Sequence, residues 1–296
     1  MSAQRGYAFA VDRLSRLNDF LQRCFGIRVI RFQRERAEPV TKTSANSSNS
    51  RSNTGSLSQS EKEKLPDDYE PEFGELWELV RQRTMTSHPK AYGLYQAVRY
   101  IVGNNIPGDI VECGVWRGGA MLAVAHQLVG LGSVERDLYL FDTYEGMTQP
   151  TARDVQISTN QSARQRLLTA DSDSLVWAIA SLEDVRAGFA HVAYPTDRIH
   201  FVKGPVEDTL PGRAPDEIAI LRLDTDWYES TRHELEHLYR RLVPGGVLIL
   251  DDYGYWQGAK DAVDEFLATT GEPLLMLRAA TGRIAVKPGL SSSVYG

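Results

Sequence analysis

Asp109-Ile-Val-Glu-Cys-Gly-Val-Trp-Arg-Gly-Gly119 reads as a short apolar strand that runs into a glycine-rich turn, and a helical pattern covers 118–130. Gly114, Gly118 and Gly119 let the backbone turn tightly and let a ligand approach it. The spacing is not the G-x-G-x-x-G of dinucleotide-binding folds, which argues against a nicotinamide or flavin cofactor.

Outward from this unit the same alternation repeats. Apolar runs at Leu138–Asp142, Ile199–Val202, Ile218–Asp224 and Val247–Asp252 are separated by helical stretches near 174–190, 228–242 and 257–270. Leu274–Arg278 and Arg283–Val286 form a close pair around Thr281-Gly282, the pattern of a terminal antiparallel hairpin. Strands alternating with helices predict an α/β fold: a Rossmann-like, doubly wound, mostly parallel seven-stranded sheet with helices on both faces. Two further helical patterns, 72–84 and 90–104, precede the first strand, and 66–296 is expected to be one domain.

The remainder of the chain differs in character. Residues 1–36 hold eight arginines against Asp12, Asp19 and Glu35, a charge of +5 that leaves −11 on the rest of a chain with net −6. Within them Val11, Leu14, Leu17, Leu21 and Phe25 recur at helical spacing. A basic amphipathic helix suits an anionic membrane or a partner; the simpler expectation is packing on its own domain or on a second subunit, giving a homo-oligomer. From Thr41 to Ser60 there are eight serines and only Ala45 and Leu57 are apolar, so 37–65 reads as a disordered linker. No run approaches the ~20 apolar residues of a membrane-spanning helix, no secretory signal is visible, and Cys24 and Cys113 suggest no disulfide framework. The expected location is cytoplasmic. The acidic body argues against a nucleic-acid partner, whose phosphates demand many basic groups, and for a small-molecule substrate.

Polar residues of interest end strands, where ligands bind in such sheets. Asp142 closes the second strand about 30 residues after the glycine turn, well placed to accept the ribose hydroxyls of a nucleoside. Phe201–Pro211 would flank an adenine, with Glu207 or Asp208 in contact. Asp224 and Asp226 close one strand and Asp251-Asp252 the next. If those strands are neighbours, Asp224, Asp251 and Asp252 converge, and a hard cation such as Mg²⁺ would relieve their repulsion. The 27 residues from Asp224 to Asp251 leave room for one helix and a turn at Pro244-Gly-Gly.

His233-Glu-Leu-Glu-His237 matches the H-E-x-x-H of zinc peptidases, yet Leu235, Leu238, Tyr239 and Leu242 make the apolar face and both histidines point away from it. Exposed histidines are the expectation there. No G-x-S-x-G elbow or P-loop appears.

Taken in order, Gly108–Gly119, Leu140–Met147, Gly204–Pro211, and Leu221–Thr231 with Pro244–Tyr253 resemble the macrocin O-methyltransferase (TylF-type) family over about residues 72–288. The resemblance implies a class I S-adenosylmethionine-dependent O-methyltransferase that acts, with Mg²⁺, on a sugar hydroxyl of a natural product or glycoconjugate. It implies that Glu112, Gly114 and Gly118 form the loop at the cofactor's methionine side. Asp142 would be its ribose ligand, and Asp224, Asp251 and Asp252 the metal ligands; from the residue reading above, Glu207 is the cofactor contact expected on the third loop. Catechol O-methyltransferases share this arrangement but commonly carry Lys three residues after the first Asp; here that position is Trp227, which leaves Asp224 as the candidate base and Asp226 as the second choice. Tyr144, Trp227, Tyr228, Tyr253, Tyr255 and Trp256 are expected around the cleft, at least two of them in the core. Two other readings stay open: a catechol or phenol O-methyltransferase, and a non-catalytic module that only binds the cofactor.

Overall fold

The computed structural model describes residues 64–171 and 174–289. The helix expected within 1–36 and, apart from residues 64 and 65, the linker expected at 37–65 lie outside the described residues.

Seven strands make one sheet: β1 (Asp109–Cys113), β2 (Leu138–Asp142), β3 (Ile199–Lys203), β4 (Ile218–Leu223), β5 (Leu242–Leu250), β6 (Leu277–Ala279) and β7 (Gly282–Val286). Their order is β3-β2-β1-β4-β5-β7-β6, with β7 antiparallel to both its neighbours and the other pairings parallel. The terminal hairpin and the doubly wound sheet are as the sequence reads. Strand order reverses between β1 and β4, the point at which an α/β sheet opens a crevice at its carboxyl edge.

Helices α1 (Pro71–Val80), α2 (His88–Gly103) and α3 (Gly119–Leu131) cover one face. Phe73, Leu76, Trp77 and Val80 of α1 are buried at i, i+3, i+4 and i+7, and proline begins the helix at a position whose N–H needs no partner. Helices α4 (Ala163–Thr169) and α5 (Leu182–Phe189) follow β2, the single turn α6 (Val206–Thr209) follows β3, and α7 (Tyr228–Leu238) and α8 (Gln257–Thr270) back the opposite face. Each such residue moved out of water contributes roughly 1.5–3 kcal/mol, which is what holds helix to sheet.

Strand alternation sorts the side chains into two sets. Val111, Cys113, Leu221, Leu223, Leu248 and Leu250 join the core under α7 and α8. Ile110, Ile220, Val247 and Ile249 join the core under α1–α3. By the two-residue period, Glu112, Arg222 and Asp251 fall on this second face. Glu112 pairs in register with Arg222, and Arg222 with Ile249.

Three sequence expectations are corrected. The stretch 174–190 is not one helix: a 3-10 turn at Leu175–Trp177 precedes Ala178 in the left-handed region (φ 47°), and α5 starts afresh where the Ser181 hydroxyl caps the amide of Asp184. Pro244-Gly-Gly is not a turn but lies inside β5, and a register shift against β4 absorbs it. There Gly245 N donates to Lys287 O, and Lys287 N to Gly246 O. His233 and His237 are half-buried rather than exposed; their ring centroids are 4.1 Å apart and His237 Nδ1 lies 2.8 Å from His233 O.

Candidate active site

The strand ends are laced to one another beyond the sheet proper. Gly114 N donates to Phe141 O (2.9 Å), Asp224 N to Cys113 O (2.8 Å), Asp251 N to Leu223 O (2.9 Å) and Gly204 N to Asp142 O (3.0 Å). These bonds fix four loops in one rim around a cavity of about 400 Å³. The closest approach is at Gly114: its φ is +83°, and a β-carbon there would lie 2.0 Å from the carbonyl oxygen of Asp224. Only glycine permits the β1 and β4 loops to meet at the switch point.

The cavity lining includes Gly114, Trp116, Asp142, Thr143 and Glu207. Asp142 braces the glycine loop: Oδ2 accepts from the amides of Val115 (2.6 Å) and Trp116 (3.0 Å), and Oδ1 from that of Tyr144 (2.7 Å). These bonds hold Trp116 and Tyr144 at positive φ, 47° and 54°. Two residues expected in this loop are elsewhere. Gly118 does not line the cavity and packs against Val185 and Phe189, where a β-carbon would come within 2.9 Å of Val185. Glu112, 1% exposed, points under the rim and bonds to Arg222 instead of reaching the cavity.

The cavity lining is also acidic, with Asp224, Asp226, Asp251 and Asp252 in it. Oxygens of Asp224, Asp251 and Asp252 lie within 4.8 Å of one another, the only such grouping of potential metal ligands among the described residues. The H-E-x-x-H histidines take no part; Glu234 between them is fully buried and accepts from the Thr225 hydroxyl (2.9 Å). The three carboxylates are not uncompensated, as the sequence suggested. Arg222, buried in β4, touches Glu112, Asp224 Oδ2 (2.7 Å) and Asp251 Oδ1 (2.6 Å), while Lys90 from α2 touches Asp251 Oδ2. Burial alone would push Asp251 up; Arg222 and then Lys90 reverse this and hold it down at about 2. Burial drives Asp224 well above the usual carboxylate range despite Arg222, aided by the charges of Asp251 and Asp252. Asp252 rises for the same reason, with Asp226 and Asp251 beside it. Acids this reluctant to ionise are what a cation would relieve.

Asp226 projects into the cavity from a left-handed backbone (φ 68°), its amide donating to Asp252 Oδ2 (3.1 Å) and its Oδ1 accepting from the indole of Trp256 (2.6 Å). It has no cationic partner among the described residues. Burial, then the charge of Asp224, pushes its carboxyl up to about 7, with the Trp256 bond opposing. Of the six aromatic residues expected here, Trp227, Tyr255 and Trp256 line the cavity. Tyr144, Tyr228 and Tyr253 do not; their hydroxyls donate to Leu140 O, Glu265 and Asp264.

Arg222, Lys90 and Thr86 escaped the sequence reading. Arg222 carried a signal: an arginine flanked by leucines in a strand buried on both faces needs an acid, and Glu112 is the acid of the neighbouring strand. Lys90 and Thr86 carried none, because only the packing of α2 brings them to the rim.

A family model described as macrocin-O-methyltransferase (TylF) matches residues 19–277. The chain belongs to this family. The match begins well upstream of residue 72, where the resemblance in the sequence starts. This O-methyltransferase is 34% identical over 199 residues to the 8-demethyl-8-(2,3-dimethoxy-alpha-L-rhamnosyl)-tetracenomycin-C 4'-O-methyltransferase of Streptomyces olivaceus, covering 67% of this chain and 72% of that one. It is 30% identical over 195 residues to the mycinamicin III 3''-O-methyltransferase of Micromonospora griseorubida, covering 66% and 74%. Its fold is that of the O-methyltransferase NovP (TM-score 0.61, 31% identity, 70% of this chain and 83% of that one). It is therefore an enzyme of the methyltransferase class with the Rossmann-like fold of S-adenosylmethionine-dependent methyltransferases. Among the described residues no helix is long and apolar enough to cross a membrane.

Proposed function

We propose that this methyltransferase moves the methyl group of S-adenosylmethionine to a sugar hydroxyl of a glycosylated small molecule, with Mg²⁺ at Asp224, Asp251 and Asp252. The single observation that carries the reading is that one cavity is lined both by the glycine turn with Asp142 and by the three convergent carboxylates. Relatives that methylate sugar hydroxyls of antibiotics supply the acceptor class.

The residues suit both groups. Gly114, Trp116, Asp142 and Thr143 line the cavity where the β1 and β2 loops meet it, and Glu207 lines it from the β3 loop, a set suited to the adenosine and methionine parts of the cofactor. Three convergent carboxylate oxygens are a donor set that would hold a hard divalent cation. When bound, such an ion lowers the pKa of a coordinated hydroxyl.

The rest is done by the chain. Asp224, the base the sequence favoured, is committed to Arg222 and to the metal set, so its charge is already shared. Asp226 takes its place as proton acceptor: it reaches the cavity, lacks a cation, and has its orientation fixed by the Trp256 indole. A carboxylate so placed contributes ~10²–10⁴-fold as a general base. Trp227, Tyr255 and Trp256 form an aromatic wall against which a sugar face packs, holding one hydroxyl toward the methyl donor.

The test is transfer of a labelled methyl group from S-adenosylmethionine to a panel of rhamnosides, other deoxyglycosides and catechols, with Mg²⁺ and with EDTA. Labelled glycoside that vanishes with EDTA is the expected result. Labelled catechol alone would overturn the acceptor, and undiminished transfer in EDTA would overturn the metal.

A further inference from the structure

Lys90 is a charged group at the cavity, bonded to one of the three convergent acids, to which the proposed chemistry gives no task. It stands at the start of α2, its side chain 13% exposed, its ammonium bonded to Asp251 Oδ2. The other oxygen of Asp251 accepts from Arg222 (2.6 Å) and from the Thr86 hydroxyl (3.1 Å). Two cations thus serve the carboxylates, and they differ in kind. Arg222 is locked: its side chain is 5% exposed and its planar fork spans three acids. Lys90 lines the cavity on a flexible four-carbon stem, and among the described residues its ion pair is with Asp251. With every group ionised, Glu112, Asp224, Asp226, Asp251 and Asp252 outweigh these two cations by three charges. A divalent ion among Asp224, Asp251 and Asp252 would sit beside the ammonium and compete with it for the carboxylate of Asp251. Two positive groups that close repel.

We propose that Lys90 is an internal counter-ion that occupies Asp251 when the metal is absent and gives that carboxylate up when the metal binds, so that loading is an exchange of ammonium for cation. This rests on the metal reading given above. The exchange weakens metal binding relative to the bare carboxylates and keeps the empty cluster from repelling itself apart. It also couples the metal to the cavity wall, because Met85 and Thr86, in the turn just before α2, line that wall.

Mn²⁺ is the probe, its free concentration read by electron paramagnetic resonance. Lys90→Met is expected to bind Mn²⁺ at least about tenfold more tightly than the wild type, and Lys90→Arg, which keeps the charge, no more tightly. In parallel, acylation of Lys90 in the wild type, followed by mass spectrometry, is expected to speed up when Mg²⁺ is added. Calorimetry with S-adenosylhomocysteine checks that each variant is folded. If the wild type binds Mn²⁺ and Lys90→Met binds it no better, the exchange is wrong while the metal reading stands. Binding in neither protein would remove the metal reading and the exchange together.

Discussion

Arg222→Met removes the guanidinium on which the acidic rim is assembled. Breaking a buried ion pair from one side costs about 3–5 kcal/mol, because a charge is left without a partner. Here Lys90 still serves Asp251, so the loss falls on Glu112, whose Oε2 already lacks a hydrogen bond, and on Asp224. A cost near the middle of that range, about 4 kcal/mol, corresponds to a fall in Tm of roughly 8–16 °C at ~2–4 °C per kcal/mol for a domain of this size. The sign of the pH dependence follows from Glu112. Burial raises its carboxyl to about 7, with Arg222 opposing. An acid whose folded pKa is raised destabilises the protein progressively as pH climbs from its unfolded value toward the folded one. Without Arg222 that folded value goes higher still, so the deficit should be largest near pH 8 and narrow toward pH 5 (both approximate). Adding Glu112→Gln to Arg222→Met should recover about half of the loss, since removing both partners approaches neutrality. The assay is thermal unfolding followed by dye fluorescence across pH. A Tm within about 2 °C of wild type at the alkaline end, or a deficit independent of pH, would refute the assignment of Arg222 as the keystone of the cluster.

Other substitutions probe other joints. Gly114→Ala should cost about 1–2 kcal/mol for its left-handed backbone and ~1–3 more for the clash with Asp224 O, read as a lower urea midpoint together with loss of S-adenosylhomocysteine binding. Asp142→Ala frees the amides of Val115 and Trp116 and should weaken that binding at least about tenfold in calorimetry; an unchanged affinity would mean the loop holds its shape unaided. Asp226→Asn should lower kcat by ~10²–10⁴ and leave cofactor affinity intact, and a kcat close to wild type would return the base to Asp224. Asp184 is held below its usual value chiefly by a hydrogen bond from Arg117, with the charge of Arg83 assisting. Its stabilising effect is therefore present at neutral pH and lost as pH falls through that lowered value. Being 35% exposed, it should cost no more than about 1 kcal/mol in Asp184→Asn, measured by urea unfolding at neutral pH.

The sheet was legible because its signals are local. Each strand is a short apolar run closed by a polar residue, and the period-two pattern carries directly into burial. The acid triad was legible for the same reason, since Asp224, Asp251 and Asp252 end adjacent strands. The misreadings have physical causes. Pro244-Gly-Gly carries turn chemistry, but Pro244 is exposed and the chain after β7 supplies the bonds that keep the segment extended. The break at Ala178 is invisible because alanine favours helix and only tertiary packing forces its positive φ. Helix α4 is two turns long with two buried residues, Ala163 and Leu167, too few to set a period. Glu112 was read as a ligand contact from its motif alone; that it accepts from Arg222, 110 residues on, lies beyond the reach of any local pattern.

Between β2 and α5 the chain makes an excursion, residues 143–181, that contributes no strand to the sheet yet furnishes Met147, Ala163, Arg166, Leu167 and Val176 to the cavity. It is fastened to the loops after β4 and β5 and to α8: by a bridge from Gln156 to Trp256, Ile157 N on Tyr255 O, Gln257 N on Val155 O, the amide of Tyr228 on Asp154, the Trp227 indole on Thr148 O, Arg166 on the Tyr255 hydroxyl, and ion pairs from Arg153 to Asp261 and Glu265. Such an attachment makes the excursion an exchangeable cassette. Transplanting it between related enzymes, with those fasteners retained, should carry acceptor preference along while the donor-binding machinery stays in place.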